Sequence, residues 1–102
     1  MFYVYSLKHC PYSISAVDIL ERSGLRYKNI MIEAKDKKKY CKKNKMNTFP
    51  QVFYKKNKKM YKIGGCSDLL ELFKLCKYLN TLPFKNELVF SLAKTFKTKK
   101  IN

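Results

Sequence analysis

The chain contains no Cys-x-x-Cys pair; its four cysteines stand apart at Cys10, Cys41, Cys66 and Cys76. That spacing excludes a disulfide closed within one short motif. With His9 as the one histidine, the set does not make a zinc cage of the usual Cys/His kind. No apolar run approaches the roughly 18 residues that a membrane-spanning helix needs, so no membrane partner is expected. The opening residues Met1-Phe2-Tyr3-Val4-Tyr5 lack the basic flank of a secretory signal and read as a first strand instead. The expected compartment is the cytoplasm, where cysteines stay reduced and their pairing is catalytic or transient. Acidic residues are scarce too, and no internal repeat is visible.

A length of 102 residues allows one domain with a real core and is too short for two. With 46% hydrophobic and 15% aromatic residues, the composition is that of a folding chain. Basic residues number 23 against 7 acidic, for a net charge of +16. Twelve of the lysines fall between Lys35 and Lys62, opposed only by Asp36. Such a field attracts anions: nucleic acid by nonspecific charge, acidic proteins, or small anionic molecules. A solvated surface in a Lys- and Asn-rich chain accounts for the run equally well.

Hydropathy patterning gives an order of elements. Phe2 to Ser6 is β-rich. A loop then ends at Cys10-Pro11, with proline in the first turn of a helix, where its missing N–H has no partner to lose. Pro11 to Ser23 has helical periodicity, with Ile14, Ala16, Val17, Ile19 and Leu20 as a broad apolar face, and Gly24 is a natural stop. Arg26 to Ile32 alternates as a strand, which completes a right-handed βαβ unit with parallel strands. Ala34 to Lys45 reads as a polar helix anchored by Tyr40 and Cys41. Gln51–Tyr54 and Met60–Ile63 form a hairpin around the basic tip Lys55-Lys56-Asn57-Lys58-Lys59. Gly64-Gly65 breaks the chain, and Ser67 to Leu79 is an amphipathic helix with Leu69, Leu72, Phe73, Cys76 and Leu79 on one face. This order is that of a thioredoxin-like α/β domain, a four-stranded mixed sheet flanked by helices. Residues 1–80 are expected to form that domain, and residues 81–102 a basic extension of one helix and a frayed tail.

Cys10 stands where a helix begins, and the unpaired N–H groups and partial positive charge there favour thiolate over thiol. Lys8 and the wider basic field act in the same direction. In Cys10-Pro11-Tyr12-Ser13, Ser13 takes the place of a second, resolving cysteine. A thiolate at Cys10 can still attack a glutathione mixed disulfide, take up the glutathione and lose it to a second glutathione thiol, which is a monothiol cycle.

Four stretches in order resemble the glutaredoxin family over roughly residues 2 to 80: Tyr5-Ser6, Cys10-Pro11-Tyr12-Ser13, Thr48-Phe49-Pro50-Gln51-Val52-Phe53 and Gly64-Gly65-Cys66-Ser67-Asp68-Leu69. The resemblance implies a glutathione-dependent thiol–disulfide oxidoreductase that reduces protein–glutathione mixed disulfides. Glutathione is then the co-substrate and glutathionylated proteins are the partners. It also implies a cis peptide before Pro50, with the backbone of Phe49 pairing with that of glutathione and Thr48 and Pro50 in the same groove. Gly65 would allow close approach of the ligand. The helix opening at Cys66-Ser67-Asp68 would offer N–H groups to the γ-glutamyl carboxylate, with Asp68 taking the amino group, Tyr12 flanking the sulfur and Lys8 adding positive potential. Two positions differ from the family's usual pattern. The lysine three places before the nucleophile is Leu7 here, with Lys8 one place later, and the basic residue before the threonine is Asn47; Lys45 and Lys42 offer nearby charge.

Two other readings fit the same residues. In one, the chain holds a [2Fe–2S] cluster between two subunits, with Cys10 and a glutathione thiolate as ligands from each; the protein is then a dimer rather than a monomer. In the other, a redox-inactive scaffold binds nucleic acid or acidic partners, with Phe53, Tyr54, Lys55, Lys56 and Tyr61 stacking on bases and neutralising phosphates. Cys66, on the rim of the expected groove, is a candidate resolving thiol if its Cα lies within about 6 Å of that of Cys10. Cys76 reads as core, Cys41 as partly exposed and His9 as a surface neighbour.

Overall fold

Alternation along the first strand decides which side of the sheet becomes core. In β1 (Phe2–Leu7) Phe2, Val4 and Ser6 are buried, while Tyr3, Tyr5 and Leu7 are half-buried. The structure, a computed structural model, describes residues 1–78; Leu79 and the extension expected over 81–102 lie outside the described residues. β2 (Tyr27–Ile32) runs parallel to β1, and β3 (Gln51–Lys56) pairs antiparallel on the other side of it. β4 (Lys59–Gly64) is antiparallel to β3, so the strand order is β2-β1-β3-β4. Among the described residues three helices flank the sheet: α1 (Pro11–Ser23), α2 (Lys37–Asn44), entered through a 3-10 turn at Ala34–Asp36, and α3 (Cys66–Tyr78). This is the thioredoxin-like mixed sheet with helices that the patterning predicts. No helix among the described residues is long and apolar enough to cross a membrane.

The two sheet faces differ in character. On one, Phe2, Val4, Val52 and Ile63 meet Ala16 and Leu20 of α1 and Leu69, Leu72 and Cys76 of α3. Each large side chain buried there contributes about 1.5–3 kcal/mol, and the Phe2 and Tyr54 rings add an edge contact at 4.8 Å between centroids. On the other face, Tyr5 packs against Phe53 (5.8 Å) and against Tyr40 of α2 (5.7 Å). α2 has no fully buried residue; Tyr40 and Cys41, its expected anchors, are half-buried.

Three local expectations are corrected. Ile14 is 63% exposed and does not belong to the buried stripe of α1, which runs through Ser13, Ala16 and Leu20. The hairpin tip is shorter than its charge suggests. Lys55 pairs with Met60 and Lys56 with Lys59, so the strands continue through the lysines and only Asn57-Lys58 turns, with Asn57 in the left-handed region at φ 59°. The third correction is to α2, which starts three residues later than the polar periodicity predicts and ends with Lys45 in the left-handed conformation, φ 54°.

Candidate active site

Cys10 is the N-cap of α1, extended at φ −87° and ψ 119°, with Pro11 as the first helical residue. Its carbonyl accepts the Ile14 N–H at 3.1 Å, and its own N–H donates to the Leu7 carbonyl at 3.1 Å. The thiol is half-exposed and uses no side-chain cap bond. Burial pushes this thiol up, yet the net shift is downward. The N–H and hydroxyl of Ser13, the N–H of Tyr12 and the charge of Lys37 together outweigh desolvation, as expected for a thiolate at a helix start. Ser13 is itself buried, and its Oγ accepts the Leu7 N–H at 3.1 Å. The residue that replaces a resolving cysteine is thus a partner of the sulfur.

Across the sulfur lies the loop that enters β3. The Phe49–Pro50 peptide is cis, and the Phe49 carbonyl is 3.9 Å from Cys10 Sγ. Phe49 and Pro50 are buried, whereas Thr48 and Asn47 are exposed. Gln51, with no exposed surface, fixes this loop. Its amide accepts from Asn44 Nδ2 at 2.7 Å, donates to the Met46 carbonyl at 3.4 Å and contacts Cys41 Sγ at 3.9 Å.

The third segment is the corner between β4 and α3. Gly64 has φ 124°, and a Cβ there would lie 2.6 Å from Asp68 Cγ; only glycine fits. The Asp68 carboxylate accepts the Gly65 N–H at 2.7 Å, reaching back from the third helical residue as in a capping box. A Cβ on Gly65 would stand 3.8 Å from the Pro50 carbonyl, so this corner abuts the cis-proline loop. Ser67 is exposed at the helix start. Burial pushes the Cys66 thiol up, and the charge of Cys10 adds to it. Burial likewise raises Cys76.

The fold therefore brings Cys10, Tyr12, Phe49, Pro50, Gly65, Cys66 and Asp68 to one end of the sheet. Tyr12 is 69% exposed beside the thiol. Lys8 turns to Glu33, with Nζ–Oε1 at 3.5 Å, and the lysine whose charge acts on Cys10 is Lys37. Nothing in the run of lysines distinguishes Lys37 locally. Ser13, by contrast, was within reach, because i and i+3 share a helix face.

The glutaredoxin family model matches residues 2–58. A Glutaredoxin 1 from Rickettsia typhi is 35% identical over 98 residues, covering 88% of this chain and 90% of its own length. The chain belongs to the glutaredoxin family. A Glutaredoxin 1 from Rickettsia bellii is 33% identical over 92 residues, 81% of this chain and 90% of that protein. Among solved glutaredoxins, the wheat protein superposes with a TM-score of 0.57 at 25% identity, covering 72% of this chain and 68% of its own. A buckwheat glutaredoxin–glutathione complex superposes with a TM-score of 0.56 at 20% identity over 91% of this chain and 78% of its own, a likeness of fold. Thiol–disulfide oxidoreduction is the chemistry of this family, and in this glutaredoxin Cys10 is a thiol held below its usual range at the start of α1.

Proposed function

We propose that the protein reduces protein–glutathione mixed disulfides by a monothiol cycle at Cys10. The Cys10 thiolate attacks the glutathione sulfur; the bond to the protein cysteine breaks, and that cysteine leaves as a thiolate and takes a proton. A second glutathione thiolate then attacks the glutathione sulfur bound to Cys10, releasing oxidised glutathione and restoring the Cys10 thiolate. The observation that carries this reading is the pairing of a lowered thiol at Cys10 with serine, not cysteine, at position 13. With no partner sulfur in the motif, a second glutathione thiol completes the cycle in this reading.

The buckwheat protein solved with glutathione supports the choice of thiol. In this reading Thr48, Phe49 and Pro50 form one wall of the groove. The Phe49 backbone pairs with the tripeptide, and Tyr12 covers the sulfur. Gly65, Cys66, Ser67 and Asp68 take the γ-glutamyl end at the start of α3, where Asp68 also caps the helix. Lys8 adds positive potential at the rim, and Lys37 adds the charge that the Cys10 thiol feels.

The test is turnover of a glutathione mixed disulfide in an assay coupled to glutathione reductase, with wild type beside Cys10→Ser. Wild type turns over and the variant falls to background; a variant that retains activity removes Cys10 from the mechanism. The same preparations separate the cluster reading, because anaerobically purified wild type that is brown beside a colourless Cys10→Ser variant would make Cys10 a [2Fe–2S] ligand.

A further inference from the structure

The lysine-rich run is one block in the sequence and two patches in the fold. β1 and β2 are parallel and end at the pole that carries Cys10, where the Lys8 N–H donates to the Ile32 carbonyl at 2.9 Å. The chain leaves β2 there, forms α2, and returns to the start of β3, where Gln51 pairs with Tyr5. α2 therefore lies across the sheet beside the Cys10 mouth, held by Tyr40 on Tyr5 at 5.7 Å and by Asn44 on Gln51 at 2.7 Å. Its five lysines, from Lys37 to Lys43, are all exposed. Lys55, Lys58 and Lys59 are at the opposite pole, because the Lys55 N–H donates to the Met1 carbonyl at 3.0 Å and the turn projects beyond it.

Among the described residues, Asp36 at the α2 N-cap is the one carboxylate within the segment that carries these lysines. Glu33 pairs with Lys8 and Asp18 with Arg22, and Asp68 accepts from Gly65; neither ion pair takes an α2 lysine. The geometry of the reaction decides what meets this patch. A protein cysteine whose glutathione sulfur is in line with Cys10 lays its flanking residues next to the mouth. Three extended residues reach about 10 Å, close to the roughly 12 Å length of an eight-residue helix. At physiological salt, charges interact over a screening length of about 8 Å, so those flanks are within the field of α2.

We propose that the α2 lysines select glutathionylated proteins whose modified cysteine is flanked by acidic residues. The inference rests on the glutathione reading above and names its substrate class. Steering of this kind raises the rate of encounter, so it acts on kcat/KM more than on kcat.

The experiment uses the full chain and two peptides of equal length, each with one glutathionylated cysteine flanked by glutamates in one and by lysines in the other. A hydroxyethyl–glutathione mixed disulfide serves as a substrate without flanks. Wild type is expected to prefer the acidic peptide about tenfold or more in kcat/KM at low salt. The preference should shrink toward unity at about 0.5 M salt, where screening is nearly complete. The triple variant Lys38→Glu, Lys39→Glu, Lys43→Glu loses the preference yet still turns over the flank-free substrate, which also reports that it is folded. The triple variant Lys55→Glu, Lys58→Glu, Lys59→Glu changes net charge equally and keeps the preference. Equal kcat/KM for the two peptides overturns the proposal, as does equal loss in both variants, which would make net charge the cause. Failure on the flank-free substrate sinks the glutathione reading itself, whereas turnover of that substrate without acidic preference sinks only this inference.

Discussion

At Cys10, desolvation and hydrogen bonding pull the same proton in opposite directions, and hydrogen bonding wins. Burial favours the neutral thiol, but the N–H and hydroxyl of Ser13, the N–H of Tyr12 and the Lys37 charge favour the thiolate. A lowered thiol is ionised at lower pH, so the rate of Cys10 alkylation reaches half its maximum below the usual thiol range. Ser13→Ala removes a donor to the sulfur and the acceptor of the Leu7 N–H at 3.1 Å. The half-maximum for iodoacetamide should then move to higher pH. The orphaned Leu7 N–H should also cost about 1–3 kcal/mol in urea unfolding. An unshifted alkylation profile would mean that the Ser13 hydroxyl does not hold the thiolate.

Among the elements, the join of β4 to α3 depends on a single backbone conformation. Gly64→Ala forces a side chain into φ 124° and drives a Cβ against the Asp68 carboxylate that caps α3. The expected loss is about 1–3 kcal/mol, read as a lower midpoint of thermal unfolding, together with a raised KM for glutathione; an unchanged midpoint would show that the corner relaxes freely. This corner was legible in the sequence as Gly64-Gly65 before an apolar helix, and so was the strand and helix order, because periods of two and 3.6 leave different imprints on hydropathy. Element ends were less legible. Lysines at 55, 56 and 59 read as loop because charge imitates a turn, yet they satisfy ladder bonds as well as any residue and keep their ammonium groups in water. The α1 stripe misleads at Ile14 because polar Ser13 takes the inward position. The burial of Gln51 and the reach of Lys37 left no local signal: one matters through a loop wrapped around it, the other through a helix that starts far along the chain from Cys10.

Taken whole, the molecule carries a net charge of +16, and the folded chain holds those like charges closer together than the unfolded one does. Salt screens this repulsion. Thermal unfolding is therefore expected to move upward by several degrees between low and moderate sodium chloride; a midpoint that falls or stays flat would mean that local pairs such as Arg22–Asp18 at 3.0 Å outweigh the collective term. The strand order β2-β1-β3-β4 also governs how one copy treats another. The two inner strands hold the apolar, β-branched and aromatic stretches Phe2–Leu7 and Gln51–Tyr54, which would template aggregation if they stood at a sheet edge. The edges fall instead to β2, which carries Lys28, and β4, which carries Lys59 and Lys62. Lysines on an edge make strand-to-strand addition of a second copy costly. The same lysine content that frames the mouth beside Cys10 thus also sets a cost on edge-to-edge pairing of β2 and β4 with a second copy.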